Sequence, residues 1–503
     1  MSALMPSVRV SVAVGLIVIV GAMAGLVLWL SSSSDAPSRK VYAAFTIVAP
    51  VEVSESQLVA RALVDPVGGC PMIDAVGVDG RMQIPMTPRL PGPRAAPVFS
   101  SILACSAPLP LGLTVASIGG SRIPEAMPAQ VDTIGIFADT GCRIDDSRVQ
   151  SCNDPNEWPL EQIVENVVAA QPDLIFDPGD YVYREIKCPS DKLERCEGTL
   201  GPAAGFPFSE TDQGWIQEFF EPARAMFSVA PIAFLRGNHE DCGRGGNGWF
   251  LYLDPFEYSM ATCDPVVRDG KLVAAAPQAT PSWTFDVLIS TARTLRVAMV
   301  DSAYGSDRNL TPWIPTQRTM YQQAYDLTKP VAGVESWLQT HRPVFGMISS
   351  TLLPRDDPFA EPWTSDGQMI ASYGLLDHYD MILSSHLHLA QVIQIPGQPA
   401  SVVVGNGGAL VEPTARYEVP LYGPLARADG SRLVPELEPY PLPTYIWTRV
   451  EYGYALAHPG TGAGRWTIDM YDHDGRRSAH CELVDRVIGC PEASTDQGHV
   501  VVD

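Results

Sequence analysis

Positive charge is scarce in this chain. Thirty-four Lys and Arg face 57 Asp and Glu over 503 residues, a net charge of −23. No Lys/Arg cluster stands out, which argues against a nucleic-acid surface. An acidic body also repels phosphate-rich molecules, so any phosphate site needs local positive charge, which bound metal ions can supply. No C-x-x-C pair occurs among the ten cysteines, so a zinc ribbon is a poor reading. No internal repeat is visible, which argues against a solenoid. Long apolar runs are also few. Residues 10–30 form one, with Ser11 its single hydroxyl, and it is long enough to cross a bilayer as a helix. It reads as an uncleaved anchor or as a signal peptide, and its length with no clean A-x-A-like site favours the anchor. Arg9 precedes the run while Arg39 and Lys40 follow it, so flanking charge does not set its orientation.

What is present begins with cysteine. All ten lie beyond the apolar run, and an even count of this kind implies a disulfide framework outside the cytoplasm, periplasmic or extracellular. Short loops close at modest entropy. Proximity therefore pairs Cys70 with Cys105, Cys142 with Cys152, Cys188 with Cys196, Cys242 with Cys263 and Cys481 with Cys490.

Residues 31–40 form a serine-rich linker. From 41 to 129 the chain is dense in Val, Pro and Gly, and runs at 57–64, 98–104 and 112–118 read as strands joined by proline-rich loops. The expectation is a small β-sandwich-like domain over 41–129, after an anchor or signal segment over 1–40. A catalytic domain over 130–503 follows.

At residue 131 the pattern changes. The run T-I-G-I-F-A (133–138) reads as a strand, 159–170 as a helix, 173–176 as a strand, 214–227 as a helix kinked at Pro222, and 230–235 as a strand. Strands alternating with helices indicate the α/β class with a layered sheet. Further strands are expected at 283–287, 295–300, 381–384 and 401–404.

Each strand-end loop carries one kind of chemistry. In order they are Asp139-Thr140-Gly141, Gly179-Asp180-Tyr181-Val182-Tyr183, Gly237-Asn238-His239-Glu240, His341-Arg342-Pro343 and His386-Leu387-His388. A Gly-Asp pair alone is a common turn, and an Asn beside a helix start is a common cap. Asp, Asn, His and Tyr converging from five loops instead suit a two-metal site with oxygen and imidazole ligands. Asp301, at another strand end, reads as structural.

The order D-x-G, G-D-x-x-Y, G-N-H-E, H-R-P, H-x-H resembles the calcineurin-like metallophosphoesterase family, and within it the purple acid phosphatase branch. Gly141 stands where many members have a histidine, and Tyr183 supplies the compensating ligand of the purple branch. The resemblance implies a four-layer α/β/β/α sandwich, here with the small N-terminal β domain and a transmembrane segment. It implies that Asp139, Asp180, Tyr183 and His388 hold iron(III), and that Asp180 bridges to a divalent zinc, manganese or iron completed by Asn238, His341 and His386. His239 is then the catalytic residue over the phosphate, helping a hydroxide held by the ions to attack phosphorus. Arg244 is a candidate substrate contact.

His341 departs from expectation by preceding the apolar run 344–348, which ends at Ser349 and Ser350. Either 336–340 is the strand and His341 follows it, or that ligand is missing. The expected activity is hydrolysis of phosphate monoesters outside the cytoplasm. Rival readings are phosphodiester or nucleotide hydrolysis on the same metals, and a non-catalytic binding protein on the same scaffold.

Overall fold

The computed structural model describes residues 40–493 and 499–501, apart from 94, 204–209, 258–262, 264–265, 269–270, 274–278, 305–312, 348–365, 413–424, 426–431 and 433. Residues 10–30 and the serines at 349 and 350 lie outside them. Among the described residues no helix is long and apolar enough to cross a membrane.

The apolar runs of the sequence become the middle strands of two sheets. Ile134–Ile136, Leu174–Asp177 and Ile232–Phe234 pair in parallel, and every residue of the three is buried. Near-continuous burial of this sort is what a sheet covered on both faces requires. The second sheet has a parallel core of Arg293–Val300, Val334–Thr340, Met381–Ser384 and Ala400–Val404.

Period-two alternation divides each strand between two cores. Ile134, Ile136, Leu174 and Phe176 point into a shared interior with Phe285, Val297, Trp337 and Leu383 of the second sheet. Phe176 meets Phe285 and Trp337 edge to face at 6.0 and 6.5 Å. The alternate residues face helices. Phe137 and Ile175 pack with Ile163, Val164 and Val167 of the helix Leu160–Ala169. On the far side Ala298, Leu338 and Ile382 pack with Met320, Tyr321 and Ala324 of the helix Ile314–Leu327. The layering is thus helix, sheet, sheet, helix. Each fully buried Leu, Ile or Phe side chain in it contributes roughly 1.5–3 kcal/mol.

Residues 41–129 were expected to stand apart as a small β domain. Val41–Val48 instead pairs in parallel with the Ile232 strand, Ile47 opposite Ile232. Leu58–Val64, Leu103–Pro108 and Thr87–Arg89 then extend the same eleven-stranded sheet, and residues 41–503 form one compact unit. A separate four-stranded sheet is built from Met72–Gly77, Gly80–Pro85, Leu113–Ile118 and Ser121–Ile123. Two buried arginines strengthen the connection. Arg61 donates to the carbonyls of Leu251, Tyr252 and Asp254, and Arg89 to those of Phe250, Leu251 and Phe256.

Three local readings shift. The strand expected at 98–104 begins at Leu103, because the Asp212 carboxylate draws the amides of Ser101 and Ile102 into a turn. The helix expected at 214–227 is broken into a short α-turn Asp212–Trp215, a π-turn Ile216–Phe220 and a 3-10 turn Arg224–Ser228. Pro222 removes a backbone donor there. The extra residue of the π-turn rotates Glu218 inward, and such turns gather at functional sites. Finally, the strand before His341 is Val334–Thr340. Of the following run, Val344, Phe345 and Met347 are buried, and the Met347 amide and carbonyl bond the Gln391 side chain at 2.9 and 3.1 Å.

All five disulfides join the pairs expected from proximity.

Candidate metal centre

Five loops at the ends of the central strands converge on one buried spot, and three of them do so through unfavourable backbone. Asp139, Asp180 and His386 have φ of 56°, 66° and 71°. Left-handed geometry costs a non-glycine residue of order 1–3 kcal/mol and persists where surroundings over-determine it. Here they do. Asp139 N–H donates to the Gly179 carbonyl and Thr140 N–H to that of Asp180, both at 2.9 Å, lacing the first two loops together. The 405–408 loop backs them, with Gly407 N–H on the Ala138 carbonyl at 2.8 Å. A Cβ on Gly407 would lie 2.4 Å from that oxygen, and one on Gly237 would lie 2.1 Å from Asp180 Oδ1. These glycines set the backbone approach that the ligand positions need.

Tyr183 Oη lies 2.8 Å from Asp139 Oδ1, 2.8 Å from Asp180 Oδ2 and 3.0 Å from His388 Nε2. Asp180 Oδ2 is also 3.2 Å from His341 Nε2, which in turn lies 3.1 Å from Asn238 Oδ1. Ligand atoms of Asp180, His341 and His386 fall within 4.8 Å of one another. Two clusters thus share Asp180. One holds Asp139, Tyr183 and His388, and the other Asn238, His341 and His386. Every residue read as a ligand from the sequence reaches this place.

The other ring nitrogens are fixed from behind. His388 Nδ1 faces the Leu410 carbonyl at 2.7 Å, and His341 Nδ1 faces the Pro178 carbonyl and the Ser385 hydroxyl, each at 2.9 Å. A carbonyl can only accept, so Nδ1 carries the proton and Nε2 offers its lone pair to the centre. Outer partners of this sort orient imidazole ligands in metal sites.

Burial pushes the Tyr183 phenol well above its ordinary range, and the Asp139 and Asp180 carboxylates push it further. Burial works against protonated His341, but Asp180 outweighs it and lifts the imidazole. Two buried carboxylates, a phenol, an amide oxygen and three imidazoles gathered about Asp180 form a donor set of hard oxygens and borderline nitrogens. That set fits multivalent cations, whose charge reverses the cost of ionising these groups together.

His239 stands apart from the clusters. Its ring stacks on Tyr183 at 3.9 Å between centroids, its Nδ1 meets the Val182 carbonyl at 3.0 Å, and its backbone N–H donates to Asp180 Oδ1 at 2.7 Å. Burial drives the imidazole well below its ordinary range, with Asp180 opposing and Arg244 and Arg143 adding to the fall. Arg244 is half-buried in the turn after the third loop. Asp301 is indeed structural: it pairs with Arg236 at 2.9 Å, both buried, bracing the two sheets behind the site.

Sequence reasoning missed several supporting groups. Glu240, the last residue of G-N-H-E, is fully buried and accepts backbone N–H groups from Asp180, Tyr181, Val182 and Gly237 at 2.8–3.3 Å. It therefore locks the second ligand loop to the third. Glu218 accepts the Tyr183 N–H at 2.5 Å. Arg342 Nη1 lies 3.2 Å from His386 Nε2. Arg143 sits over the Tyr183 ring. Glu240 stood inside a recognised motif, whereas nothing local marks Glu218 or Arg143.

A two-sheet α/β sandwich with Asp, Asn, His and Tyr gathered at strand-end loops defines a metal-dependent phosphoesterase. The profile of the calcineurin-like phosphoesterase family matches residues 133–390, and the chain belongs to that family and is a hydrolase of phosphate esters. Comparison with curated proteins finds no match. Similar solved structures include a purple acid phosphatase from yellow lupin (Lupinus luteus) seeds, at 13% identity, covering 88% of this chain and 73% of that one with a TM-score of 0.49. PhoD is similar at 10% identity, covering 91% and 93% with a TM-score of 0.46. A dimetal phosphatase from Danio rerio is similar at 11% identity, covering 73% and 100% with a TM-score of 0.35.

Proposed function

We propose that this protein is an exported dinuclear phosphatase of the purple type, acting on phosphate monoesters. The observation that carries the reading is the sharing of Asp180 between two ligand clusters, with Tyr183 Oη in contact with Asp139, Asp180 and His388. Asp139, Tyr183 and His388 would hold iron(III), and Asn238, His341 and His386 a divalent ion, with Asp180 common to both. Ions so held supply charge neutralisation and an activated water for in-line displacement at phosphorus.

The chain's own groups do the rest. Glu240 and the laced loops hold Asp180 in place, so the ligand spacing is preorganised. His239 has its Nδ1 on the Val182 carbonyl, and Nε2 is assigned the proton exchange with the phosphoryl or leaving-group oxygen. A phosphate dianion beside it favours the protonated ring that donation requires. Five disulfides support folding in an oxidising compartment. Membrane attachment rests on the apolar run at 10–30 alone.

The test is metal analysis of the purified protein together with turnover of a panel of monoesters, diesters and nucleotides. Two metals per chain and preference for monoesters are expected. Preference for diesters would move the assignment to a phosphodiesterase, and metal-free protein with no turnover would end the hydrolytic reading.

A further inference from the structure

In an acidic chain, arginines close to a phosphate site are informative. Arg143 follows Asp139 by four residues and Arg244 follows His239 by five, so two of the ligand loops each end in a cation. Both arginines are half-buried. Arg143 lies with its guanidinium carbon 5.9 Å from the centroid of the Tyr183 ring. Its Nε donates to Asp145 at 2.7 Å, and Asp145 is fixed in turn by the backbone and hydroxyl of Ser147 and by the Arg148 N–H at 2.6–2.8 Å. The side chain is therefore aimed rather than loose. Arg244 lies in the turn closed by Gly245 N–H on the His239 carbonyl at 2.8 Å, and the His239 ring stacks on the same Tyr183 ring that Arg143 overlies, so both arginines are attached beside one pair of rings.

Disulfides restrain both loops. Cys142–Cys152 closes the turn that carries Arg143, and Cys242–Cys263 begins two residues before Arg244. A cation held on a restrained loop loses little freedom on binding an anion. Guanidinium groups match phosphate and carboxylate oxygens in geometry as well as charge. A net charge of −23 would repel a polyanion, and charges beyond roughly 8 Å are screened at physiological salt, so nearby cations decide which anions are admitted.

We propose that Arg143, together with Arg244, holds a second anionic group of the substrate, so that the preferred substrates are esters carrying a further phosphate beside the one that is cleaved. This rests on the phosphatase reading and adds the substrate class to it. Arg143 then acts as a specificity-determining residue: it contacts the remote phosphate, and the reacting phosphoryl group stays with the ligand clusters and His239.

The experiment compares fructose 1,6-bisphosphate with fructose 6-phosphate on the metal-loaded full chain, in wild type, Arg143→Ala and Arg143→Lys. Wild type should prefer the bisphosphate in kcat/KM. In Arg143→Ala that preference should fall about tenfold or more, the usual weight of a charge-assisted hydrogen bond, mainly through KM. Arg143→Lys, which keeps the charge, should recover part of it. Thermal denaturation of each variant separates a folding defect from a specificity change. No bisphosphate preference in wild type, or an equal fall on both sugars in Arg143→Ala, overturns the proposal and leaves the phosphatase reading intact. Absence of turnover of any phosphate ester by the loaded wild type overturns the phosphatase reading itself.

Discussion

Gly141 and Tyr183 compete for one volume. A Cβ on Gly141 would lie 2.8 Å from Tyr183 Cδ2, and also 2.6 Å from the Tyr181 carbonyl oxygen and 2.8 Å from Glu218 Oε1. A side chain at 141 and the Tyr183 ring as placed therefore exclude one another. Gly141→Ala should push on backbone and a buried ring that cannot yield, costing about 1–3 kcal/mol as overpacking does. Thermal denaturation and metal content check this; a variant as stable and as metal-rich as wild type contradicts the shared-volume argument.

Tyr183 should give the metal-loaded protein its colour. A phenolate on iron(III) absorbs visible light, and Tyr183 Oη is placed for ligation by its 2.8 Å contacts to Asp139 and Asp180. Tyr183→Phe should lose the visible band and most of the iron. Colourless, iron-free, fully active wild type would refute the ferric assignment.

His239→Ala should lower turnover by roughly 10²- to 10⁴-fold, the range for general acid–base groups. Both metals should remain, because the ring stacks on Tyr183 outside the two ligand clusters. Metal analysis beside the kinetics decides the point: metal loss in proportion to activity would assign His239 a ligand role instead.

Removal of His341 should empty the second position. Its Nε2 lies within 3.2 Å of both Asp180 Oδ2 and Asn238 Oδ1. Affinity for the divalent ion should fall by more than the about 10- to 100-fold that even an outer-shell partner is worth. Titration of the His341→Ala apoprotein with zinc measures it, and two tight sites in the variant would count against the assignment.

Asp145 makes a prediction about pH. Burial disfavours its ionised form, but hydrogen bonds from Ser147 and Arg143 outweigh this and hold the carboxyl well below its ordinary range. A carboxylate depressed in the folded state adds stability that is present above the unfolded value near 4 and fades as pH falls below it. Asp145→Asn should therefore cost about 1 kcal/mol near neutral pH, a modest figure because the site is partly open to solvent. The difference from wild type should shrink below about pH 3. Denaturation curves at pH 7 and pH 3 that differ by the same amount would contradict this.

Much of the chemistry was written locally. Ligands at strand ends depend on short motifs, and the apolar strand preceding each one is legible because buried parallel strands need unbroken hydrophobic runs. The disulfides were legible for a related reason, since neighbours in sequence close short loops. Tertiary structure decided what depends on distant partners. Nothing in residues 41–48 announces that Ile47 will sit beside Ile232, so the N-terminal strands looked like a domain of their own. A π-turn turned Glu218 inward to the Tyr183 amide, and Asp145 aimed Arg143 over the Tyr183 ring. Strand pairing and side-chain aim are set by contacts between remote segments, and those contacts exist only once the two sheets have packed.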